Sequence, residues 1–295
     1  MEKLKRTFGF IFSHPLGKKH RLKSLFRFIY WQLQVSLSPD KYFVKTFISP
    51  VKFYARKGLT GITGNIYTGL HEFNDMAFLL HLLRPDDTFF DIGANVGSYT
   101  LLASGICKAT SITIEPIPVT FEILASNIAL NHLKNMATLV NAGAGDTKGS
   151  LIFSRDNDTT NHVIAATEAN KNTIEVPVVI IDELLDAGIP ILVKIDVEGF
   201  ESRVLNGMTT LLANQILKAL IIEMSNNQAY GFDDNYAHEL LTSNNFTPFA
   251  YDPFTRRLTE LADKKSDNII YCRDIDYVKN RIETAQPIHI MGELL

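Results

Sequence analysis

Residues 88–100, TFFDIGANVGSYT, constrain the fold of this chain more than any other stretch. A short apolar, β-prone run ends at Asp91, and a turn that contains Gly93 and Gly97 leads into a segment of helical character. The start of such a helix leaves backbone N–H groups unpaired, and these donors suit a carboxylate or phosphate of a ligand. Glycine provides the positive φ of the turn and leaves room for the ligand. The stretch therefore predicts a ligand-binding turn in an α/β fold.

An acidic residue follows at the distance that nucleotide-binding folds use. The apolar run 111–114 ends at Glu115, 22 residues after Gly93. In such folds an acid at the end of the second strand, about 20 residues beyond the turn, binds ribose hydroxyls. The spacing G-x-x-x-G differs from the G-x-G-x-x-G of dinucleotide-binding turns. Turn and acid together predict a site for an adenosine-containing cofactor.

Strands and helices alternate from residue 87 onward, which is typical of a parallel sheet with helices on both faces. The run 191–195 is almost continuously apolar, as expected for a central strand buried on both faces. The polar stretch 155–172 predicts a long loop, and a reversed strand near the C-terminus would make the sheet mixed. The predicted strands of this sheet are 88–90, 111–114, 138–141, 191–195, 217–222, 246–251 and 268–271. Residues 151–153 and 174–181 also look like strands, and 42–48 and 51–56 could pair as strands. The glycines between 58 and 69 indicate an irregular approach to the sheet, and helices are predicted at 73–83, ending before Pro85, and at 201–213.

A second polar block, KIDVEG, follows the central strand. Lys194, Asp196 and Glu198 stand at alternate positions where that strand ends, so they point to one side if the chain stays extended. This edge of an open α/β sheet is where ligands bind. An acid–base–acid cluster there would orient and deprotonate a hydroxyl, with Asp196 as the first candidate for the base and Glu198 as the second. The alternative is an ion pair of Lys194 with Glu198 that holds the turn, with Glu201 capping the next helix.

The blocks DIGANVGSYTLLAS, ITIEP, NAGAGD and LVKIDVEGFESRVLNGM, in this order and spacing, resemble the FkbM family of S-adenosylmethionine-dependent methyltransferases over residues 71–225. The resemblance implies a Rossmann-like methyltransferase fold, with a mostly parallel seven-stranded sheet and helices on both faces. It also implies S-adenosylmethionine as the cofactor, and methyl transfer to a hydroxyl oxygen of a sugar, a glycan or another natural product. The residues outside this region match the family only loosely.

The resemblance also implies which residues bind the cofactor. The turn residues would line its methionine and ribose part, and Glu115 would accept hydrogen bonds from the ribose hydroxyls. Asp146 would contact the adenine amine, unless it only shapes the GDTKG turn. The implied cofactor-binding residues are Asp91, Gly93, Asn95, Gly97, Glu115 and Asp146.

Further candidates for the chemistry stand at single positions. His162 lies in the predicted loop and is either a substrate or base residue or a solvated histidine; His71 is a weaker candidate of the same kind. Glu223 ends the fifth strand and either faces the acceptor pocket or is an ordinary acid at a strand end. Asp196 and Glu198 would share a divalent cation only with further oxygen ligands, which the sequence does not supply clearly. No metal site is predicted.

The net charge of −3 hides an asymmetry between the two parts of the chain. Residues 1–57 hold 13 lysines and arginines against two acids, a net charge of +11, whereas residues 58–295 carry 16 against 30, a net charge of −14. We therefore predict a basic, partly helical N-terminal extension, 1–57, and a methyltransferase domain, 58–295. Such a basic segment meets an anionic partner such as a membrane surface, or docks on an acidic domain of its own or a sister chain.

Within this segment, residues 1–38 are predicted to be helical. One apolar stripe recurs at steps of three and four residues and is more often packed against a domain than laid on lipid. We therefore expect the stripe to dock and leave peripheral membrane contact as the alternative; no nucleic acid is expected. The stripe consists of Leu22, Leu25, Phe26, Ile29, Leu33 and Leu37.

Composition narrows the compartment and the class of protein. The two cysteines match no disulfide or zinc spacing, no apolar run approaches the length of a membrane span, and no secretory signal is evident, so we expect a cytoplasmic protein, with membrane association through the N-terminus as an added possibility. A nicotinamide-dependent oxidoreductase would use a similar sheet but would need G-x-G-x-x-G. A non-catalytic binding module would be expected to lose the KIDVEG block, which is intact.

Overall fold

Three helices and a β-hairpin precede the central sheet in a computed structural model that describes residues 2–154, 163–164, 173–224, 235–262 and 268–295. The predicted helical segment is interrupted at His14, whose Nδ1 accepts hydrogen bonds from the N–H groups of Leu16 and Gly17 and so caps the second helix. The hairpin forms where the sequence predicts two paired strands. These elements are α1 (Glu2–Ser13), α2 (Pro15–Lys19), α3 (Arg21–Leu37), β1 (Phe43–Thr46) and β2 (Lys52–Ala55).

The glycine-rich stretch after the hairpin is helical, whereas the sequence suggests an irregular approach to the sheet. It forms α4 (Thr60–Thr68), in which Ile62 and Ile66 are buried in the main core. Burial of these side chains offsets the low helix propensity of the glycines. Gly69, at φ 88°, ends α4, and α5 (Phe73–Leu82) follows and ends before Pro85 as predicted.

The first half of the sheet follows the predicted alternation. Asp91 lies inside its strand, one residue before the end, so the first strand is longer than the pattern predicts. The helix after the glycine turn begins as α6 and continues as a π-helical segment over Leu101–Ile106. The elements are β3 (Thr88–Ile92), α6 (Ser98–Thr100), β4 (Thr110–Ile114), α7 (Pro118–Leu130) and β5 (Ala137–Val140).

A small four-stranded sheet interrupts the alternation. Two of its strands lie where the sequence predicts them, and the pairing order is β6-β9-β7-β8. The strand β8 falls within the predicted loop 155–172, and the other residues of that loop, His162 among them, lie outside the described residues. The strands are β6 (Gly143–Ala144), β7 (Gly149–Ser154), β8 (Val163–Ile164) and β9 (Thr173–Val179).

The second half completes the large sheet. The predicted helix 201–213 is two short helices with a break at Gly207, where a Cβ would lie 2.1 Å from the carbonyl oxygen of Gly145, so the chain bends around this close contact. A 3-10 helix, Ile181–Ala187, precedes β10. The remaining elements are β10 (Leu192–Ile195), α8 (Glu201–Asn206), α9 (Thr209–Ala213), β11 (Ala219–Glu223), α10 (Tyr236–Ser243), β12 (Thr247–Asp252), β13 (Arg257–Glu260), β14 (Asn268–Cys272), α11 (Ile275–Glu283), β15 (His289–Ile290) and β16 (Glu293–Leu294).

The large sheet has the order β5-β4-β3-β10-β11-β14-β12-β13. The first five strands in this order are parallel, and β14 pairs antiparallel with β11 and β12, which confirms the mixed sheet. The predicted seven strands are joined by an eighth, β13, which forms a hairpin with β12. All four residues of β10 are buried. Lys194 in β10 stands in register with Asp91 in β3, so the two polar blocks of the sequence meet at one edge.

The N-terminal helices pack on the rest of the chain. Ile11, Leu16 and Trp31 belong to the same hydrophobic core as the helices beside the sheet. The ring nitrogen Nε2 of His14 lies 2.6 Å from the carbonyl oxygen of Leu70. Within the described residues, no helix is both long and apolar enough to cross a membrane.

The face of α3 that packs inward is not the stripe that the sequence predicts to dock. The inward residues are Phe28, Trp31 and Val35, all buried. The predicted stripe points outward: Leu22, Phe26 and Leu37 are 74%, 73% and 83% exposed. The helix carries apolar residues on two faces, and periodicity alone selected the wrong one for docking.

Candidate active site

The carboxyl ends of the parallel strands open into a cavity of about 1180 Å³, lined by both polar blocks. The turns after β3 and β10 touch through their backbones there. A Cβ on Gly93 would lie 1.8 Å from the carbonyl oxygen of Asp196, and Gly93 has φ +80°. This glycine is required because no side chain fits between the two turns.

The N–H groups of turn 93–97 are already paired within the protein. These five N–H groups offer no free donor to an anion, because the end of β4, Glu115 and the turn itself supply the acceptors. The free donors that the sequence predicts belong to the start of the helix, which begins at Ser98. For residues 93 to 97 in order, the acceptors are Ile114 O, Ile114 O, Glu115 Oε2, Asn95 Oδ1 and Ala94 O, at 3.0, 3.0, 2.9, 2.8 and 2.9 Å.

Gly97 serves packing rather than ligand clearance. Its φ is +90°, and a Cβ there would lie 2.5 Å from Cδ1 of Leu124 in α7. The side chain of Leu124 therefore fills the space that a ligand was expected to occupy beside Gly97. Asn95 is also left-handed, with φ +52°, and it lines the cavity.

Two buried carboxyl groups flank the turn. Asp91 accepts hydrogen bonds from the N–H and the Oγ1 of Thr100, at 3.0 and 2.6 Å, and burial raises its pKa to about 6. Glu115 accepts one backbone N–H at each oxygen, from Ile117 at Oε1 and from Asn95 at Oε2, both at 2.9 Å. Burial raises the pKa of Glu115 to about 7. Each Glu115 oxygen retains acceptor capacity, and the residue lines the cavity.

Asp146 lies outside the lining of the cavity. Its Oδ2 accepts a hydrogen bond from Arg203 Nη1 at 2.9 Å, and it is absent from the lining residues. Its predicted contact with adenine finds no support in this position. The wall near β6 is instead apolar, and sequence patterns could not single out its members because they resemble ordinary core residues. They are Ile117, Ala142, Ala144, Phe153 and Phe200.

In the KIDVEG block, Lys194 pairs with Asp196. Lys194 is 1% exposed, and its Nζ donates to Asp196 Oδ2 at 3.1 Å. The predicted partner, Glu198, lies in a left-handed turn at φ +52°, beyond the end of the strand, so the three side chains do not continue an extended strand. Glu201 holds the turn before α8, where its Oε1 accepts the N–H of Gly199 at 3.0 Å. Gly199 precedes the first helical residue, so this bond differs from the predicted helix cap.

Charge interactions shift the pKa values of Asp196 and Glu223 in opposite directions. Burial would raise the pKa of Asp196, but the Lys194 ammonium and a hydrogen bond from Glu223 hold it below its ordinary value. Burial, together with the Asp196 charge, raises the pKa of Glu223 to about 9. Glu223 Oε2 is buried without a hydrogen-bond partner, and a raised pKa, which favours the neutral acid, lowers the cost of burying it.

Acceptor atoms of Asp196, Glu198 and Glu223 all lie within 4.8 Å of one another. Such a spacing suits a cation, and the buried ammonium of Lys194 already bonds Asp196 at 3.1 Å. Among the described residues, Glu223 thus supplies a third carboxylate beside Asp196 and Glu198, an oxygen ligand that the sequence did not identify. Glu223, which the sequence left undecided, faces the cavity.

A further polar network lies beside Lys194, and no sequence motif marks it. The Tyr99 hydroxyl donates to Glu72 Oε2 at 2.7 Å, and Asn268 Nδ2 donates to Glu72 Oε1 and Asp75 Oδ2 at 3.0 and 3.1 Å. Lys194 Nζ lies 5.4 Å from the centre of the Tyr99 ring. These residues come from α5, α6 and β14, so only their packing in the fold reveals the cluster.

The N-terminal helices α1 and α3 also line the cavity. Arg6, Phe10 and Gln32 line it there, together with Lys57. His71 also lines the cavity, with its ring edge-on to Phe10 at 4.9 Å between centres. Burial lowers the pKa of His71. No sequence motif marked α1 or α3 as part of a site.

The end of the cavity nearest the strands is acidic. Six carboxyl residues line the cavity, and Lys194 is the basic residue that comes from a strand end, whereas the lining residues Arg6 and Lys57 come from the N-terminal segment. Such a surface favours a cationic ligand and disfavours a diphosphate. The six are Glu72, Asp91, Glu115, Asp196, Glu198 and Glu223.

Comparison with known proteins gives a family for this architecture. Residues 91–248 match the methyltransferase FkbM domain. A relative from Haloferax volcanii, the hexuronic acid methyltransferase AglP, is 30% identical over 149 residues. That match spans 50% of this chain and 59% of the relative, so the chain covers less than two thirds of the relative's length.

Solved structures show weaker likeness. The precorrin-6y C5,15-methyltransferase of Geobacter metallireducens has a TM-score of 0.41 and 14% identity, covering 75% of this chain and 94% of that one. TYW2 of P. horikoshii in complex with MeSAdo has a TM-score of 0.31 and 19% identity, covering 44% and 50%.

Proposed function

The chain belongs to the FkbM methyltransferase family, and from that premise we propose that it transfers the methyl group of S-adenosylmethionine to a hydroxyl oxygen of a sugar or related natural product. The observation that carries the proposal is the meeting of the two polar blocks in one cavity. Glu115 and the glycine turn form one side of this cavity, and the Lys194–Asp196 pair forms the next. A cofactor and an acceptor held there would lie side by side.

The chemistry of the cavity fits this cofactor. S-adenosylmethionine carries a sulfonium and an ammonium group, and the ionised carboxylates among the six acidic residues near the strand ends, Asp196 among them, complement those charges. Glu115 would accept hydrogen bonds from the ribose hydroxyls, and the apolar wall that includes Ile117 and Phe153 would contact adenine. When bound, the cofactor would supply an electrophilic methyl group. A cavity of about 1180 Å³ has room for an acceptor as well.

The same features argue against a dinucleotide cofactor. A pyrophosphate needs free N–H donors or basic side chains at the turn. Here the N–H groups of residues 93–97 are bonded within the protein, and the nearest charged side chains are Asp91 and Glu115. The acidic lining would repel the diphosphate.

Asp196 would both hold the acceptor hydroxyl and accept its proton. Lys194 holds its carboxylate in one orientation and lowers its pKa, which makes Asp196 a weak base in the resting protein. An alcohol loses its proton only as the new bond forms, so a carboxylate that accepts the hydroxyl hydrogen bond and the proton in the transition state is sufficient. Holding the hydroxyl in line with the methyl donor contributes at least as much.

The acceptor would lie towards the N-terminal wall. We propose that residues 1–57 form an extension that shapes this side of the site, and that residues 58–295 form the methyltransferase domain. The relative from Haloferax volcanii is named for a hexuronic acid, a carboxylated sugar. Arg6 and Lys57 are exposed basic residues on this wall and would suit such an acid. A sugar hydroxyl or a sugar acid is therefore the acceptor class to test first.

Calorimetric titration tests the cofactor assignment. The protein should bind S-adenosylmethionine and not NAD, and Glu115→Ala should weaken binding by about 1.5–3 kcal/mol, as expected for lost hydrogen bonds to a charged group. Asp146→Ala is the matched control: it removes an acid outside the cavity and should leave the affinity unchanged. Preference for NAD, or equal effects of the two substitutions, would overturn the assignment.

Mass spectrometry tests the reaction. Sugars, sugar acids and cellular glycans incubated with protein and cofactor should gain the mass of one methylene group. Cofactor binding without methyl release to any hydroxyl-bearing acceptor in such a screen would contradict the proposed reaction while leaving the cofactor assignment intact.

A further inference from the structure

The outer face of α3 is an uncovered apolar surface, which we define by Leu22, Phe26, Ile29, Tyr30, Leu33 and Leu37. These side chains are 74%, 73%, 45%, 60%, 57% and 83% exposed. They recur at steps of three and four residues and so form one stripe, about 22 Å long at about 1.5 Å per residue. The opposite face of the same helix is buried in the core.

Exposed apolar residues are concentrated in this part of the molecule. Fourteen large hydrophobic side chains are exposed among the described residues, and nine of them fall between residues 12 and 44. Besides the outer face of α3, these are Phe12, Tyr42 and Val44. Single exposed hydrophobics are ordinary, but a contiguous stripe marks a surface that is covered by something.

The charge around the stripe identifies what covers it. Between Glu2 and Asp40 the sequence contains no acidic residue. Arg21 and Lys41 are exposed at the two ends of α3, and Lys45 Nζ lies 5.3 Å from the centre of the Tyr30 ring, beside the stripe. An apolar stripe with basic neighbours is the arrangement of helices that lie in the interface of an anionic membrane.

We propose that the outer face of α3 docks on an anionic membrane surface. Its apolar side chains enter the boundary between headgroups and acyl chains, and the flanking lysines and arginines contact lipid phosphates and carboxylates. A second copy of the chain is the other way to cover the stripe. It would bring two segments of net charge +11 together across an apolar contact, whereas an anionic membrane neutralises that charge.

Vesicle cosedimentation of the full chain tests this surface. The protein should bind vesicles of phosphatidylcholine that contain about 30% phosphatidylserine, and raised salt should weaken the binding. Phe26→Ser combined with Leu33→Ser should weaken it at least about tenfold, since two apolar side chains no longer insert. Arg21→Glu combined with Lys41→Glu should weaken it comparably.

The control pair is Val119→Ser with Ile216→Ser, which removes two hydrophobics of similar exposure, 50% and 53%, from the acidic part of the molecule. This pair should bind vesicles like the parent. Unchanged S-adenosylmethionine affinity verifies that each variant is folded. Equal binding to pure phosphatidylcholine, or equal binding by the Phe26/Leu33 variant, overturns the proposal. A protein that ignores vesicles and sediments as a dimer until Phe26 and Leu33 are replaced overturns it in favour of a second copy.

Discussion

Lys194 keeps its charge in a position almost closed to solvent. Burial alone would lower the pKa of this lysine, but the neighbouring carboxylates of Asp196 and Glu72 raise it above its ordinary value. In return the ammonium keeps Asp196 ionised, while the extra proton of the cluster resides on Glu223. At neutral pH the cluster therefore contains an Asp196 carboxylate beside a Glu223 carboxylic acid.

This arrangement gives different expectations for two neighbouring acids. Asp196→Asn should retain cofactor affinity but lower turnover by about 10²–10⁴-fold, because the amide cannot accept the hydroxyl proton. The loss should appear in kcat more than in the acceptor KM, since the interaction strengthens in the transition state. Steady-state kinetics with a competent acceptor measures both.

Glu223→Gln is the matched control. The amide resembles the protonated acid that Glu223 is at neutral pH, so turnover should change by less than about tenfold. An Asp196→Asn enzyme with nearly full turnover would remove the base role from Asp196, and Glu198 and His162 would be the next residues to test.

At the scale of elements, the site depends on two turns that touch. The turn after β3 contains Asn95 and the turn after β10 contains Glu198, two non-glycine residues with positive φ. Each lies within two residues of a glycine that also has positive φ. Left-handed backbone at non-glycine residues is strained and persists where the surroundings determine it, often at functional sites. Contact between the turns supplies that constraint and fixes the position of Asp196 relative to the glycine turn.

Gly93→Ala tests this contact. The new Cβ would lie 1.8 Å from the Asp196 carbonyl oxygen, at φ +80°, so the turns must separate. We expect a loss of about 2–4 kcal/mol in the free energy of unfolding, measured by urea denaturation, and weaker cofactor binding in the same variant.

Gly149→Ala separates the contact from backbone strain. Gly149 also has a positive φ, +152°, but a Cβ there meets nothing within 4 Å. This variant should lose only about 1 kcal/mol and should bind the cofactor normally. Equal stability of the two alanine variants would show that the turns do not constrain each other.

For the whole molecule, buried titratable groups set the pH dependence of stability. Burial raises the pKa of Glu115 and Glu201 to about 7 and that of Glu223 to about 9, so above the unfolded pKa of about 4.5 the unfolded state loses these protons first. Their effect is a loss of stability as pH rises. Buried His14 and His81, with pKa values lowered to about 4, act oppositely, but only below about pH 6.5.

Below about pH 6.5 the histidines and the buried carboxyl groups change the stability in opposite directions. Above neutrality only the contribution of the carboxyl groups remains. Thermal unfolding should therefore give a melting temperature that falls from pH 7 to pH 9, with a loss of up to about 1 kcal/mol per pH unit. Glu223→Gln should flatten this slope, because Glu223 is the carboxyl group whose folded pKa lies in the window. A Glu223→Gln protein with the parent's slope would show that another group titrates there.

The sequence by itself determined the sheet and the two polar blocks. Apolar runs that end in a glycine turn or an acid are local patterns, and local hydrogen bonding enforces them, as in β3, β10 and the turn that Glu201 holds. The order of these blocks along the chain sufficed for the family, because parallel strands bring their carboxyl ends to one edge.

Only the tertiary structure decided which groups pair and which faces dock. The N–H groups of the glycine turn find acceptors on β4, and Lys194 finds Asp196 in place of Glu198. These choices depend on distances between segments far apart in sequence. In α3 the sequence contains two apolar faces. Phe28, Trp31 and Val35 pack against the rest of the molecule, and the other face stays exposed. Periodicity shows that a helix has an apolar face; the shape of the surface it meets decides which face is buried.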